Sequence, residues 1–409
     1  MAANLARIQG GRAMSCVLIN STGETFTPTR SGAICTWTWE MCRAAESEGV
    51  QPLVITRDSE AKAYPWLRTV FLSYPWIPSF RGTGIGRLIK MQQRLTGWGH
   101  SRQGAYARKI VRAIRRNCAE KMPFVLQNDP ELAVFLRRHF PDAFILHHFH
   151  NSNVCSKRFR EKFAQSVNEV TAVSRHCADW NGEYFARAVK VLYNGVDTER
   201  FSPTNRRMDE LPVVGFVGRT DRQKAPDLLL RAALLVSEKT RGFGIQILGS
   251  RYYGYSERDA YQDEIEALST QLEERGISVR RPGFIDRANL PDELRKAQIH
   301  VVPSRWDEPF GLVTLEGMAC GLATIASRTG GTPEVVGDAG LAFERDATEE
   351  LASHLMQLIA NDAMRLEFGR KARLRALEFR WKDSWAHLCE YLHLSSSVAG
   401  ERKALALND

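Results

Sequence analysis

The sequence predicts an α/β protein made of two doubly wound, parallel-sheet halves. Three observations carry that expectation. Short apolar runs of strand length alternate with longer stretches of helical periodicity, the pattern of a parallel sheet covered by helices. The alternation breaks at a polar segment, FSPTNRRMDELP (201–212), and then begins again. At 409 residues the chain is also too long for one ordinary core and suits two.

In the first half, CVLIN (16–20) and PLVITR (52–57) read as buried parallel strands. Between them SGAICTWTWEMCRAAESEG has helical periodicity and stops at Gly49. FVLQND (124–129), AFILHHFH (143–150), EVTAVS (169–174) and KVLYNGVD (190–197) continue the series. In the second half VVGFVGR (213–219), GIQILG (244–249), ISVRRPG (277–283), IHVVPS (299–304) and ATIAS (323–327) are strand-like. APDLLLRAALLVSEK, RDAYQDEIEALSTQLEERG and LVTLEGMACG lie among them as helices, and one helical stretch runs from Thr348 to Trp381. No sequence repeat is visible, but the architecture repeats. Ligands of such sheets sit beyond the carboxyl ends of the strands, and two halves facing each other would enclose a central cleft.

Composition narrows the class. With 44% hydrophobic and 25% charged residues the chain is globular rather than disordered or fibrous. No apolar run approaches the roughly 20 residues of a membrane span. The opening MAANLARIQGGRAM lacks the apolar core of a secretory signal, and Met14 is an equally good start. The eight cysteines show no CxxC pair and no metal-ligand spacing, so reduced, buried thiols in a cytoplasmic protein are expected. The net charge of +9 is uneven: 28 Lys+Arg face 16 Asp+Glu in residues 1–205, and 28 face 31 in residues 206–409. A basic half beside a mildly acidic one implies different partners. Nucleic acid is not expected, because helix-turn-helix, zinc-finger and aromatic single-strand signatures are all missing.

The densest chemistry lies in VPSRWDEPFGLVTLEGMACG (302–321). A strand ends at Pro303–Ser304, a loop carries Glu308, and a helix should begin near Phe310–Gly311. A carboxylate in that position can accept hydrogen bonds from sugar hydroxyls. The backbone N–H groups of Phe310, Gly311 and Leu312 suit an anionic or hydroxyl-rich ligand. Glu316, inside the helix, could take both hydroxyls of a ribose. The plainer alternative makes Glu308 a helix-dipole charge and Glu316 an exposed helix residue. GFVGRTDRQKAPDLLLRAA (215–233) then supplies a strand, a turn at Gly218, Arg219, Lys224 and a helix opened by Pro226. Two cations at the mouth of a strand–helix turn suit a diphosphate, Arg as a fork and Lys as a point charge. In SRTGGTPEVVGDAG (327–340), Gly330–Gly331 lets backbone approach closely.

Taken together, the YNGVDTERFSP hinge, the VGR…K segment, the Glu308/Glu316 pair and the GGTPEVV turn resemble the retaining glycosyltransferases of family 4. The resemblance spans nearly the whole chain and is densest over 191–343. It implies the GT-B fold: Rossmann-like domains at 14–200 (acceptor side) and 206–380 (nucleotide-sugar donor side), with a terminal helix near 381–396 packing back on the first. It implies that Arg219 and Lys224 contact the donor diphosphate, that Glu308 and the Phe310–Leu312 backbone hold the donor sugar, and that Glu316 holds the ribose. The pattern departs from the family at Ala225–Pro226, where a glycine is common after the lysine.

The first half matches more loosely. The family places a glycine-containing loop after the first strand, near donor phosphate and acceptor, and TGETFTPTRSGAICTW offers Gly23, Arg30, Ser31 and Gly32. The family also places a histidine near the reacting sugar; of His147, His148 and His150, His150 aligns best, and either of its protonation states would serve. A metal site is not expected: no acidic ligand accompanies the histidines and no Asp-x-Asp occurs. RGTGIGR (81–87) follows no clear strand and reads as a loop rather than a dinucleotide site. The basic stretch 87–117 is either a solvated helical face or a contact for anionic lipid or a phosphate-bearing acceptor.

The resulting expectation is retaining transfer of a sugar from a UDP- or GDP-sugar to a hydroxyl of a glycan, lipid-linked or small-molecule acceptor. No resident cofactor is needed, and the location is cytoplasmic or peripheral at the inner membrane face. The rival readings are a nucleotide-sugar epimerase of the same fold and a catalytically silent sugar-nucleotide-binding protein.

Overall fold

The structure is a computed structural model of the chain, describing residues 15–28, 32–74, 102–117, 119–155, 157–204, 211–251 and 259–394. Met14, Arg30, Ser31, the 81–87 loop, residues 87–101 of the basic stretch, 205–210 of the polar segment and residues 395–396 lie outside the described residues. By its contacts the chain divides into two units. Unit 1 draws on Met1–Val173, Ala178–Leu192 and Lys382–Asp409; unit 2 on Ser174–Cys177 and Tyr193–Trp381.

Unit 1 is built on β1 (Val17–Ile19), β2 (Leu53–Arg57), β3 (Thr69–Leu72), β4 (Phe124–Gln127), β5 (Ile145–Phe149), β6 (Glu169–Ala172) and β7 (Lys190–Val191). They form one sheet in the order β3-β2-β1-β4-β5-β6-β7, with every pairing parallel. The central register, Val17 against both Leu53 and Phe124, explains the unbroken apolar runs: these strands are covered on both faces. Among the described residues the connecting helices are α1 (Ala33–Ser47), α2 (Arg102–Arg116), α3 (Pro130–His139), α4 (Lys157–Ser166) and α5 (Arg175–Phe185), the last with Arg175–Cys177 counted in unit 2.

Unit 2 repeats the scheme with β8 (Val213–Val217), β9 (Gly244–Leu248), β10 (Ser278–Gly283), β11 (Ile299–Val302), β12 (Ala323–Ser327) and β13 (Leu341–Phe343). Their order is β10-β9-β8-β11-β12-β13, again all parallel. The helices are α6 (Pro226–Ser237), α7 (Ala260–Glu274), α8 (Leu290–Leu294), α9 (Leu312–Ala319), α10 (Thr332–Val336), α11 (Thr348–Ala360) and α12 (Asp362–Ala376), followed by α13 (Trp381–Tyr391). Val214, Ile245, Ile299 and Ile325 pack with Leu228, Leu229 and Leu355 as its core.

Strand order reverses between β1 and β4 in unit 1, and between β8 and β11 in unit 2. At such switch points the two strand-end loops diverge to opposite faces and leave room for a ligand. The helical stretch 348–381 is not one helix but two, α11 and α12, with α13 starting at its last residue, Trp381. Asn361 ends the first and caps the second, its side chain accepting from the Met364 N–H at 2.9 Å.

α13 belongs with unit 1 from Lys382 onward. Trp385, Leu388 and Cys389 on it are buried, and the Tyr391 hydroxyl donates to the Val191 carbonyl at 3.0 Å. Cys16, Cys35, Cys42, Cys177, Cys320 and Cys389 are buried and Cys155 is half-buried, and none of these seven forms a disulfide among the described residues. Among the described residues no helix is long and apolar enough to cross a membrane, and no group of three His, Cys, Asp or Glu is placed to hold a metal ion.

Candidate active site

The loops leaving β8 and β11 lie side by side because those strands are neighbours. The Gln223 carbonyl accepts from the Arg305 N–H at 2.8 Å and from the Trp306 N–H at 3.3 Å, tying the loops together. Arg305 reaches over to α6 and grips Asp227 with two parallel bonds of 2.7 and 2.8 Å. Burial alone would push the Asp227 carboxyl up; hydrogen bonds from Arg305 and Tyr261 outweigh it and hold it below the usual range. That clamp fixes where the rest of the β11 loop can go.

It brings Lys224 and Glu308 together. Lys224 Nζ lies 2.5 Å from Glu308 Oε1, and the Ser304 hydroxyl donates to the same oxygen at 2.5 Å. Glu308 is only 4% exposed, so Lys224 is its charge compensation. The third wall is the glycine pair. Gly330 has φ +56°, and a Cβ there would stand 2.2 Å from the Glu308 carbonyl oxygen. The Gly331 N–H donates to that carbonyl at 2.6 Å. The backbone beneath Glu308 can approach this closely only because neither residue has a side chain.

Ala225 occupies the left-handed region at φ +53° before Pro226 opens α6. This is why a glycine suits the position, and here the strain falls on an alanine buried in the core. Arg219, 39% exposed at the side chain, is steered by Asp221 at 3.2 Å and Gln223 at 3.2 Å. α9 starts at Leu312 with Gly311 as its left-handed cap at φ +96°, so its first N–H groups face the Glu308 loop end. Phe310 is buried against Tyr193 and Phe379.

Glu316 is not the exposed helix residue that a helix-surface reading would make it. It is 1% exposed, its Oε1 accepts from Arg287 at 2.6 Å, and its Oε2 has no partner among the described residues. Glu334, in the GGTPEVV turn, accepts from the N–H groups of Arg175 and His176 at 2.8 Å each and from the Tyr193 hydroxyl at 3.1 Å. Arg219, Lys224, Glu308, Phe310, Gly311, Leu312 and Glu316 therefore all belong to unit 2. Ser304, Arg305 and Arg287 complete the arrangement and were not singled out in the sequence. Ser304 stood at the strand end, but nothing in its neighbours marked it as a partner of Glu308.

In unit 1, Gly32 caps α1, and a Cβ there would meet the Glu24 carboxylate at 2.2 Å. Glu24 accepts from the Cys35 N–H at 3.0 Å, so a carboxylate of the chain itself sits at this helix start. Burial raises its pKa, against hydrogen bonds from Cys35 and Ile34 that lower it.

His150 follows β5 and is 5% exposed. Its Nε2 lies 2.9 Å from Gln127 Oε1, while Gln127 Nε2 donates to Asn20 Oδ1 at 3.1 Å and to Thr38 Oγ1 at 2.8 Å. With the amide committed that way, Nε2 carries the imidazole proton and Nδ1 is a bare acceptor with no partner among the described residues. Burial pushes the ring pKa down to about 3. Burial thus favours the neutral ring, and in that form Nδ1 accepts. His147 and His148 are fully buried in the strand, His148 paired with Thr171 at 2.8 Å.

Sheet order, strand-end loops and the Lys224–Glu308 centre define a two-Rossmann α/β protein of GT-B type. Solved structures agree on the fold: sucrose-phosphate synthase from Thermosynechococcus elongatus superposes with a TM-score of 0.69 at 21% identity, covering 93% of this chain and 98% of that one. HepE of Anabaena in complex with UDP and glucose does so with a TM-score of 0.66 at 17% identity, covering 93% and 99%. The family described as "Glycosyltransferase Family 4" matches residues 36–200, and "Glycosyl transferases group 1" matches 197–375. The chain belongs to the family 4, group 1 glycosyltransferases. It is 36% identical over 234 residues to a D-inositol 3-phosphate glycosyltransferase of Corynebacterium jeikeium, covering 53% of this chain and 54% of that protein. It is 32% identical over 226 residues to an alpha-maltose-1-phosphate synthase of Mycolicibacterium smegmatis, covering 49% and 54%. The chain thus spans about half the length of these curated relatives.

Proposed function

We propose that this protein is a retaining hexosyltransferase that moves a sugar from a nucleotide diphosphate sugar, UDP- or GDP-linked, to a hydroxyl acceptor. The observation that carries the reading is the Lys224–Glu308 contact at the β8/β11 switch point, closed by the Gly330–Gly331 backbone. Arg219 and Lys224 offset the charge that grows on the departing diphosphate, in a site where fixed charges act with little reorganisation. Glu308 and the first turn of α9 take the hydroxyls of the transferred sugar. No resident metal or cofactor is part of the reading. That HepE was solved with UDP and glucose supports the donor class.

The acceptor belongs to the glycan, lipid-linked or small-glycoside classes. Two relatives are named for phosphate-bearing molecules, and α2 exposes Arg112, Arg115 and Arg116, which supports an anionic acceptor or lipid surface on the basic unit. Co-sedimentation with anionic vesicles should then fall steeply as salt rises. Binding indifferent to salt and lipid charge would remove the surface from the proposal.

His150 is assigned to a substrate hydroxyl, accepted at Nδ1. His150→Ala should lower turnover by roughly a hundredfold while nucleotide affinity stays within about threefold, the range typical of a lost positioning contact. The deciding experiment is mass spectrometry of products from a panel of nucleotide sugars, with and without candidate acceptors, joined to proton NMR, which reads the anomeric and epimeric configuration. Transfer with retained anomeric configuration supports the proposal. Epimerised donor, or bound donor left unreacted with every acceptor, would replace it with one of the rival readings.

A further inference from the structure

Arg57, Tyr74, Tyr106 and Lys109 share one corner of unit 1, where β2 and β3 end and α2 begins. Arg57 is the last residue of β2. One of its guanidinium nitrogens donates to the Thr22 carbonyl at 3.4 Å, in the loop after β1, and no carboxylate pairs with it among the described residues. The guanidinium stands 5.2 Å from the centre of the Tyr74 ring, and that ring lies 5.5 Å from the ring of Tyr106. Lys109, one turn beyond Tyr106 on α2, donates to the Ser73 carbonyl and to the Ser73 hydroxyl at 2.8 Å each. An ammonium has three N–H groups, so a third remains.

Tyr106 is what sets this corner apart from an ordinary basic surface. It is 2% exposed, and its hydroxyl has no partner among the described residues. A buried phenol left bare is costly, and such a group calls for an explanation. Burial raises its pKa, so the O–H stays protonated and can donate, and the charges of Arg57 and Asp129 both act on it. Asp129 opposes an anion only weakly. Its carboxyl accepts from the Leu132 N–H at 2.9 Å, and burial raises it to about 7, which leaves it short of a full charge at neutral pH. A fork, a point charge and a neutral O–H, each with a hydrogen to give, suit a ligand that only accepts and carries negative charge. A phosphomonoester, with three terminal oxygens and up to two charges, meets all three donors; a carboxylate has only two oxygens to share among them.

We propose that Arg57, Tyr106 and Lys109 form a binding site for a phosphomonoester group of the acceptor, with the Tyr74 ring steadying the Arg57 guanidinium. This rests on the proposed glycosyl transfer and deepens it, by making the acceptor a phosphorylated molecule. The phosphate is carried either by a soluble acceptor or by a lipid headgroup.

Tyr106→Phe is the sharpest probe, because it removes one unpartnered hydroxyl and keeps the ring, so the variant should be at least as stable as the wild type. Calorimetry on the full chain uses inorganic phosphate and glycerol 1-phosphate, with UDP and GDP in excess so that the cations assigned to the donor are occupied. Both probes should bind at least about tenfold more weakly to Arg57→Gln and about three- to tenfold more weakly to Tyr106→Phe. Arg138→Gln removes the same charge from the exposed end of α3 and should stay within about twofold of the wild type. Sedimentation with phosphatidylcholine vesicles, with and without phosphatidic acid, separates the two sources. Binding that needs phosphatidic acid and is lost in Tyr106→Phe assigns the headgroup; vesicle binding that is absent or indifferent to Tyr106→Phe assigns the soluble acceptor. Unchanged phosphate affinity in Tyr106→Phe would overturn the proposal, as would an equal loss in Arg138→Gln or a wild-type protein that binds neither probe. The Tyr106→Phe comparison stands alone if Arg57→Gln does not fold. Phosphate binding with the expected losses, but no transfer from any nucleotide sugar, would leave the site standing and remove the glycosyl-transfer reading instead.

Discussion

Acidifying from about pH 7.5 to about pH 5 is expected to lower folding stability by several kcal/mol. Burial holds the imidazoles of His147 and His150 down to about 3 and that of His300 to about 4, and drives His148 well below its ordinary value. The unfolded chain, with imidazoles near pH 6.5, takes up protons that the folded chain refuses. The stabilising difference is complete above that value and shrinks as pH falls below it, by about 2 kcal/mol per histidine at pH 5. Asp129 and Glu24, whose carboxyls burial raises, work the other way. Asp129 reaches about 7, so below that pH the folded state gains a proton first and recovers roughly 2–3 kcal/mol. Urea unfolding across this range reads the balance. His147 offers the control, because neither ring nitrogen has a partner among the described residues and the ring packs against Phe149 and Phe163. His147→Phe should flatten the pH dependence and raise stability at pH 5 by about 2 kcal/mol. Stability that stays level between the two pH values would show that these histidines are hydrated in solution.

Replacing Lys224 by Met is expected to cut turnover by roughly a hundred- to a thousandfold, the scale of losing one pre-placed charge at a transition state. The same change leaves Glu308 buried with the Ser304 hydroxyl as its remaining side-chain partner among the described residues, so stability should fall as well. Affinity should fall selectively. A nucleoside diphosphate loses a charge-assisted contact of about 1.5–3 kcal/mol, while the parent nucleoside loses nothing. Adding Glu308→Gln to Lys224→Met should restore part of the stability and none of the turnover, separating the structural role of the pair from its chemical one. Arg219→Ala should act in the same direction but less, since that side chain is far more exposed. Equal losses of uridine and UDP affinity in Lys224→Met would contradict the phosphate assignment.

Much of the fold was legible because buried parallel strands leave blunt signals. ATIAS (323–327) is β12 residue for residue, and CVLIN contains β1. β3 and β13 were not legible, the first a partly exposed edge strand and the second three residues long. The break at Asn361 was hidden by apolar periodicity that continues across it. The types and spacing of Arg219, Lys224, Glu308 and Glu316 were readable, but their partners were not. Arg287 reaches Glu316 from a loop 29 residues away, and Gln127 reaches His150 from a strand 23 residues away, and no local pattern marks either. The burial of Glu316 did leave a trace. LVTLEGMACG is apolar on all sides, and a helix with no polar face has nowhere to expose a glutamate.

The route of the chain through its units bears on how the protein is made. Apart from Ser174–Cys177, which is synthesised earlier, unit 2 is one run from Tyr193 to Trp381, whereas unit 1 has its last strand by Val191 but gains α13 only after Trp381. On the ribosome, the usual sequence of domain maturation is therefore inverted. The half synthesised first must wait, with the surface meant for Trp385 and Leu388 uncovered, while the half synthesised second can close on its own. During that interval the nascent first half is a natural client for chaperones, and a ribosome stalled before α13 would release a chain whose second half is sound and whose first is unfinished.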